Sequence, residues 1–228
     1  MGIPFIAPNE PLPPPHAALR EPNGLLAYGF DLSLPRLLEA YRHGIFPWFN
    51  AGEPVLWWSP DPRMVLHPAA FKRSRSLQKR LRRRDYSLRV DTAFAAVMEA
   101  CAAPRARQAG TWILPVMREA YTALFDAGYA HSVEVWMDDA LVGGVYGVCI
   151  GRAFFGESMF SRVPDASKIA LTHLCVQLAD WDFGPIDCQM ETPHLASLGA
   201  VPVARSEFLA GLAQHVTAPP APWGELFG

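Results

Sequence analysis

The hydrophobic pattern is clearest between residues 131 and 189. Ser132–Met137, Leu141–Cys149 and Ala153–Met159 alternate or run apolar in short segments, the period of β-strands, with Asp138-Asp139 and Gly151 as turns between them. Gly143-Gly144 inside the second strand predicts a bulge, or a ligand lying against bare backbone. A helix follows over Asp165–Ala179, with Ile169, Leu171, Leu174, Cys175 and Leu178 as its apolar positions. Pro185–Gln189 then reads as one more short strand.

Upstream, residues 1–20 are proline-rich and predict an extended surface segment. Ser33 with Pro35 opens a helix carrying Leu34, Leu37, Leu38 and Tyr41, and Gly44 stops it. Three tryptophans, Trp48, Trp57 and Trp58, follow closely. Trp57 and Trp58 are either the core of a small subdomain or functional surface, and Trp48 sits where a ring can be presented to stack on a base. Ser59-Pro60-Asp61-Pro62 reads as a linker, which places a boundary between residues 1–62 and 63–228. Asp91 is placed to cap a helix over Thr92–Ala102, and Pro115 opens another that runs to about Asp126 and ends by Gly128. Trp112, at the mouth of that second helix, is either core or a second stacking surface. A last helix is expected near Ser206–His215.

The chain has 228 residues, half of them hydrophobic, enough for a substantial core. A net charge of −2 does not by itself imply a polyanionic partner. The charge is uneven, however. Lys72, Arg73, Arg75, Lys79, Arg80, Arg82, Arg83 and Arg84 form a block with no acid before Asp85. Such a block is either a solvated face or a phosphate-binding surface for a nucleic acid, and the lack of balancing acids favours the second. Cys101, Cys149, Cys175 and Cys188 are scattered in apolar contexts, which predicts buried thiols in a reducing compartment and no metal site. No basic-then-apolar leader opens the chain, and no apolar run nears the roughly 20 residues a spanning helix needs. The expectation is a soluble cytoplasmic protein with no membrane association.

Two features carry candidate chemistry. Asp187 and Gln189 stand two apart on a predicted strand and so share one face. That pair is either an ordinary wet sheet face or a reaction centre. Glu157 lies among Phe154, Phe155, Met159 and Phe160, so it either pairs with Arg162 or Lys168 or binds something cationic.

The segments REPNGLLAYGFDLS (20–33), YRHGIFPWF (41–49), LWWSPDPR (56–63), SRSLQKR (74–80), GTWI (110–113), HSVEVW (131–136), LVGGVYGV (141–148), GESMFSR (156–162), DASK (165–168), IDCQ (186–189) and HLASLGA (194–200) together resemble the leucyl/phenylalanyl-tRNA–protein transferase family. The resemblance spans most of the chain in order, leaving out the first twenty residues and the tail. Tyr28-Gly29-Phe30 departs from the family's usual glycine pair.

The resemblance implies an α+β chain: a small N-terminal domain, and a larger acetyltransferase-like (GNAT) domain with a mainly antiparallel sheet flanked by helices. It implies transfer of Leu or Phe, and less well Met, from aminoacyl-tRNA to proteins with N-terminal Arg or Lys, marking them for degradation. No cofactor or metal is called for, and nothing demands more than a monomer. It further implies that Asp187 and Gln189 act together at the reaction centre. Glu157 would contact the substrate amine, Trp48 and Trp112 would hold the aminoacyl-adenosine end, and the basic block would hold the tRNA. Glu157, Asp187 and Glu191 remain equal candidates for reading the acceptor's basic residue.

Two rival readings are a CoA-dependent N-acetyltransferase and a non-catalytic RNA-binding module. The first needs a glycine-rich turn before the central helix, where this chain has Ser161-Arg162-Val163-Pro164-Asp165. The second needs none of Glu157, Asp187 and Gln189.

Overall fold

The computed structural model describes residues 2–103 and 113–225. The described residues form two sheets. A three-stranded antiparallel sheet near the N-terminus has the order β1 (Leu25–Gly29), β3 (Val55–Trp58), β2 (Phe46–Pro47), with α1 (Leu34–Arg42) between β1 and β2. The second sheet has seven strands in the order β10-β4-β9-β8-β7-β6-β5. These are β4 (Arg63–Leu66), β5 (Ser87–Val90), β6 (Ala130–Met137), β7 (Ala140–Ile150), β8 (Ala153–Ser161), β9 (Ile186–Asp187) and β10 (Val201–Val203). Every neighbouring pair is antiparallel except β8 with β9. The helices are α2 (Arg75–Leu81), α3 (Phe94–Ala102), α4 (Pro115–Asp126), α5 (Ala166–Asp180), α6 (Pro193–Ser197) and α7 (Arg205–His215). The architecture is α+β. Among the described residues no helix is long and apolar enough to cross a membrane.

Both faces of the large sheet are covered. Val133, Val135, Val145 and Phe154 pack with Ile169, Leu174 and Leu178 of α5 on one side. Tyr146, Val148 and Phe155 pack with α3, α4 and α1 on the other, so the small sheet and the large one share a core. Burial on both faces explains why β6 is buried from Ala130 to Val135 although its sequence alternates. Its polar residues must therefore find internal partners. Glu134, fully buried, accepts from the Ala93 amide at 2.7 Å, from the Trp136 indole and from the hydroxyls of Ser132 and Thr92.

That arrangement corrects the expected start of α3. Asp91 does not cap it. Asp91 sits at φ +57 and accepts from the Ser132 amide and from His131, and the helix begins at Phe94 with Glu134 accepting the amide of Ala93 just before it. The proline-rich leader is tied down by Arg36 of α1, whose guanidinium donates to the carbonyls of Ala7, Pro8 and Glu10.

Two irregularities shape the centre of the sheet. Val142 is an extra residue in β7, and beside it an added Cβ on Gly143 would lie 2.4 Å from Ala166. What lies against the bare backbone there is the first turn of α5. In β8, Tyr146 faces Ser158 while Gly147 faces Gly156, so Glu157 is the extra residue of a second bulge. Bulges re-aim a side chain, and this one turns the acid. Gly147 is required opposite it, since a Cβ would meet the Phe155 carbonyl at 2.2 Å.

Candidate active site

β8 and β9 pair in parallel at one point, Phe155 with Asp187, and β9 pairs on its other side with β4. Three polar elements gather at this junction. The first is Asp187, which is 1 % exposed. Arg63, the first residue of β4, grips it with two nitrogens. Nε donates to Oδ1 at 2.7 Å and a terminal nitrogen to Oδ2 at 2.6 Å. Oδ1 also accepts the backbone N–H of Gln189 at 2.9 Å.

The second element is Gln189 itself. The expected strand Pro185–Gln189 is shorter than its pattern implied. β9 ends at Asp187, and Gln189 turns into the left-handed region at φ +58. Strand alternation therefore does not bring the two side chains to a common face. The Asp187 carboxylate instead holds the Gln189 backbone, and the Gln189 side chain is partly exposed. The reason is local: an aspartate that accepts the amide two residues on makes an Asx-type turn, which competes with the ladder.

The third element is Glu157, partly exposed at the bulge. Its expected partners are engaged elsewhere, Arg162 with the Leu141 carbonyl and Lys168 with Asp165. Two phenols take their place. Tyr41 donates to Oε1 at 2.7 Å and Tyr121 to Oε2 at 2.9 Å. The two tyrosine oxygens also contact each other. Three oxygen–oxygen edges close a ring, and a closed ring needs three protons. With both phenols donating to the carboxylate, the edge between them has no proton; it gains one when Glu157 is protonated, donates to one phenol, and that phenol turns to donate to the other. Desolvation accordingly pushes the Glu157 carboxyl up to about 7, against the pull of hydrogen bonds from Tyr41 and Tyr121, with the nearby negative Asp187 adding to the rise. Burial, and then the charge of Glu157, push both phenols well above their usual range.

Residues 65–213 match the family model described as leucyl/phenylalanyl-tRNA protein transferase, and residues 30–61 match that of its N-terminal domain. A leucyl/phenylalanyl-tRNA–protein transferase from Thiobacillus denitrificans is 64 % identical over 213 residues, covering 92 % of this chain and 93 % of the relative. One from Azoarcus sp. is 59 % identical over 223 residues, covering 97 % and 95 %. One from Bordetella bronchiseptica is 54 % identical over 232 residues, covering 98 % and 91 %. The chain belongs to the leucyl/phenylalanyl-tRNA–protein transferase family. Among solved structures, a GCN5-related N-acetyltransferase from Kribbella flavida has a TM-score of 0.37 and 11 % identity, covering 73 % of this chain and 60 % of that one. So faint a likeness carries no weight here.

The other residues singled out for this transferase-family chain fall in different places. Trp57 and Trp58 are core. Trp48 is partly exposed, edge-on to Trp58 at 5.6 Å, with its carbonyl accepting the Trp58 indole N–H. Trp112 lies outside the described residues. In the basic block, Ser74 caps α2 through the Leu77 amide and Leu77 is buried. Lys72, Arg73, Arg75, Lys79, Arg82, Arg83 and Arg84 are exposed. Arg80 differs: it pairs with Asp85 and lies over the Tyr86 ring. The block is joined to the segment after Gln189 by a hydrogen bond from the Lys72 amide to the Leu198 carbonyl at 2.9 Å. Cys188 is a free thiol that burial pushes far up, which removes it as a nucleophile.

Tyr41, Tyr121 and Arg63 were not singled out from sequence. The signal available for Arg63 was weak: a charged residue opening an apolar strand directly after a Pro-Asp-Pro linker. The two tyrosines sit on helical apolar stripes and carried no such signal.

Proposed function

We propose that this chain transfers leucine or phenylalanine from aminoacyl-tRNA to the α-amino group of proteins beginning with arginine or lysine, marking them for degradation. The observation that carries this reading is the family membership, with relatives named for that transferase up to 64 % identical across nearly the whole chain. The proposal includes a monomer acting in the cytoplasm, built as a small N-terminal domain to residue 62 and an acetyltransferase-like domain beyond it.

The reaction is aminolysis of an ester. The N–C bond forms at the aminoacyl carbonyl, the C–O bond to the ribose breaks, and one amine proton ends on the ribose oxygen. The ester is already activated, so neither ATP nor a cofactor is needed. The attacking amine must be neutral, and an α-amino group titrates near 8. Glu157, at about 7, is close enough to exchange a proton with it. Gln189 is not basic. Its side-chain carbonyl accepts an N–H from the amine and aims the lone pair at the carbonyl carbon. Asp187 has both oxygens taken by Arg63 and the Gln189 amide, so its work is to hold Gln189 in place.

The exposed cations from Lys72 to Arg84, Arg80 excepted, suit phosphate contact, and Trp48 has a ring face for the terminal adenosine. One first-turn amide of α5 is already taken by the chain itself, since the Ser161 hydroxyl accepts the Ser167 N–H at 2.8 Å. That weighs against a pyrophosphate-binding, CoA-dependent reaction.

The test is transfer of labelled leucine from charged tRNA to peptides that begin with arginine, lysine or glutamate. Label on the first two alone is expected. Acetyl transfer from acetyl-CoA, with no leucine transfer, would overturn the reading.

A further inference from the structure

Arg63 is 0 % exposed, and every nitrogen of its guanidinium is used. Two nitrogens hold Asp187, and the third donates to the Gly44 carbonyl at 3.0 Å. The guanidinium also lies over two rings, Phe46 of β2 at 4.9 Å and Phe208 of α7 at 4.8 Å. Four parts of the chain therefore meet on one side chain: the end of α1, β2, β9 and the C-terminal helix α7. A planar fork bonded through all three nitrogens and packed on two rings has almost no freedom left, and a lysine cannot reproduce it.

A buried ion pair is a poor way to stabilise a fold, since apolar residues of similar volume do as well or better. This pair does something apolar residues cannot. It fixes a carboxylate whose Oδ1 accepts one further bond, donated by the Gln189 backbone N–H. Gln189 needs the help, because φ +58 is unfavourable for a residue with a Cβ.

We propose that Arg63 is a positioning residue for aminoacyl transfer. It locks Asp187, Asp187 holds the backbone of Gln189 in its left-handed turn, and that turn aims the Gln189 carboxamide at the incoming amine. Phe46 and Phe208 keep water from the guanidinium, so the packing of α7 reaches the reaction centre through Arg63. The proposal rests on the transferase reading above, and its test is built to separate the two.

The experiment compares Arg63→Lys, Phe208→Leu and the double variant Arg63→Met/Asp187→Leu with the wild type. It measures thermal melting, kcat and KM for leucine transfer, and hydrogen exchange at the Gln189 amide. A misplacement of about 1 Å costs on the order of 100-fold in rate. Arg63→Lys is therefore expected to lose about 10- to 100-fold in kcat per folded molecule, with KM for charged tRNA changed less than about 3-fold and faster exchange at Gln189. Phe208→Leu, which keeps apolar bulk and loses the ring, is expected to fall between Arg63→Lys and wild type. The double variant is expected to melt closer to wild type than Arg63→Lys does while its kcat stays low.

A double variant that recovers kcat along with stability would reduce Arg63 to a counter-charge and overturn the proposal. So would an Arg63→Lys protein that melts early yet transfers at the full rate with an unchanged Gln189 amide. If the wild type itself transfers no leucine, the transferase reading falls. Exchange at Gln189 in Arg63→Lys still decides whether the clamp exists.

Discussion

Asp187 and Glu157 are two acids on either side of one strand pairing, Phe155 with Asp187, and they are held in opposite ways. Asp187 is enclosed with a guanidinium that matches both its oxygens. Among the described residues Glu157 has two phenols and no cation as its hydrogen-bond partners. A full positive charge at bonding distance compensates a buried anion, whereas phenols only soften the cost, so Asp187 forms an ion pair and burial drives Glu157 up to about 7. The same site thus holds one carboxylate fixed as scaffold and another free to gain and lose a proton near neutral pH. The partner's charge divides the roles.

The largest expected effect comes from breaking the first arrangement. Asp187→Ala leaves a buried guanidinium without its carboxylate, which costs on the order of 3–5 kcal/mol of folding stability. Glu157→Ala removes a group whose two phenols can still bond to each other, and a cost of about 1–3 kcal/mol is expected. Urea unfolding at pH 7 measures both. Equal losses would mean that Asp187 is no more dependent on its partner than Glu157 is, and the contrast would collapse. Binding of charged tRNA should survive in whatever fraction of Asp187→Ala folds.

The sequence shows one of these arrangements about as poorly as the other, and the reason is distance along the chain. β6, β7, β8 and α5 lie within a residue or two of where their hydrophobic periods place them, because period and turn residues are local properties. α1, with its proline at the start and Gly44 after it, was equally legible. Partners are not local. Arg63 is 124 residues from Asp187, and Tyr41 is 116 from Glu157. Reasoning from neighbours offered Arg162 and Lys168 to Glu157 and a helix cap to Asp91. In each case a remote residue brought in by the fold made the better bond. Asp187, Gln189 and Glu157 stood out through their context and the family resemblance, while their chemistry depends on residues that only the tertiary structure brings together.

The titration of Glu157 is the next test. The Glu157 carboxyl lies at about 7 in the folded chain against a usual 4.5, so between those values the folded state binds the extra proton. Stability from protonated Glu157 is complete below about pH 4.5 and is lost as pH rises through about 7. A shift of that size corresponds to at most about 3 kcal/mol, and partial exposure of the side chain lowers it. Glu157→Gln, which mimics the neutral acid, should therefore match wild type near pH 4 and exceed it by about 1–3 kcal/mol at pH 8. Chemical denaturation at the two pH values reads the difference. Parallel pH profiles for the two proteins would mean that Glu157 titrates like an exposed acid, and the neutral-ring picture would be wrong.

The smallest effect concerns a third carboxylate, which sharpens the contrast by having no partner at all. Glu191, two residues beyond Gln189, is exposed and makes no hydrogen bond or ion pair among the described residues. An acceptor protein with a cationic first residue needs an acid to recognise it. Of the three candidates, Asp187 is engaged by Arg63 and Glu157 by its tyrosines and the incoming amine, which leaves the charge of Glu191 free for the acceptor's side chain. Exposed pairs contribute roughly 0.2–1 kcal/mol and are screened by salt. Glu191→Gln should raise KM for an acceptor peptide beginning with arginine by about 2- to 5-fold at low ionic strength, with kcat and the KM for charged tRNA unchanged. The effect should fade at high salt, where an interaction that excluded water would persist. A peptide whose first side chain is neutral should be indifferent to the substitution. If its KM moves as much as that of the arginine peptide, Glu191 supports the loop and does not read charge, and Glu157 then has to serve both the amine and the basic side chain.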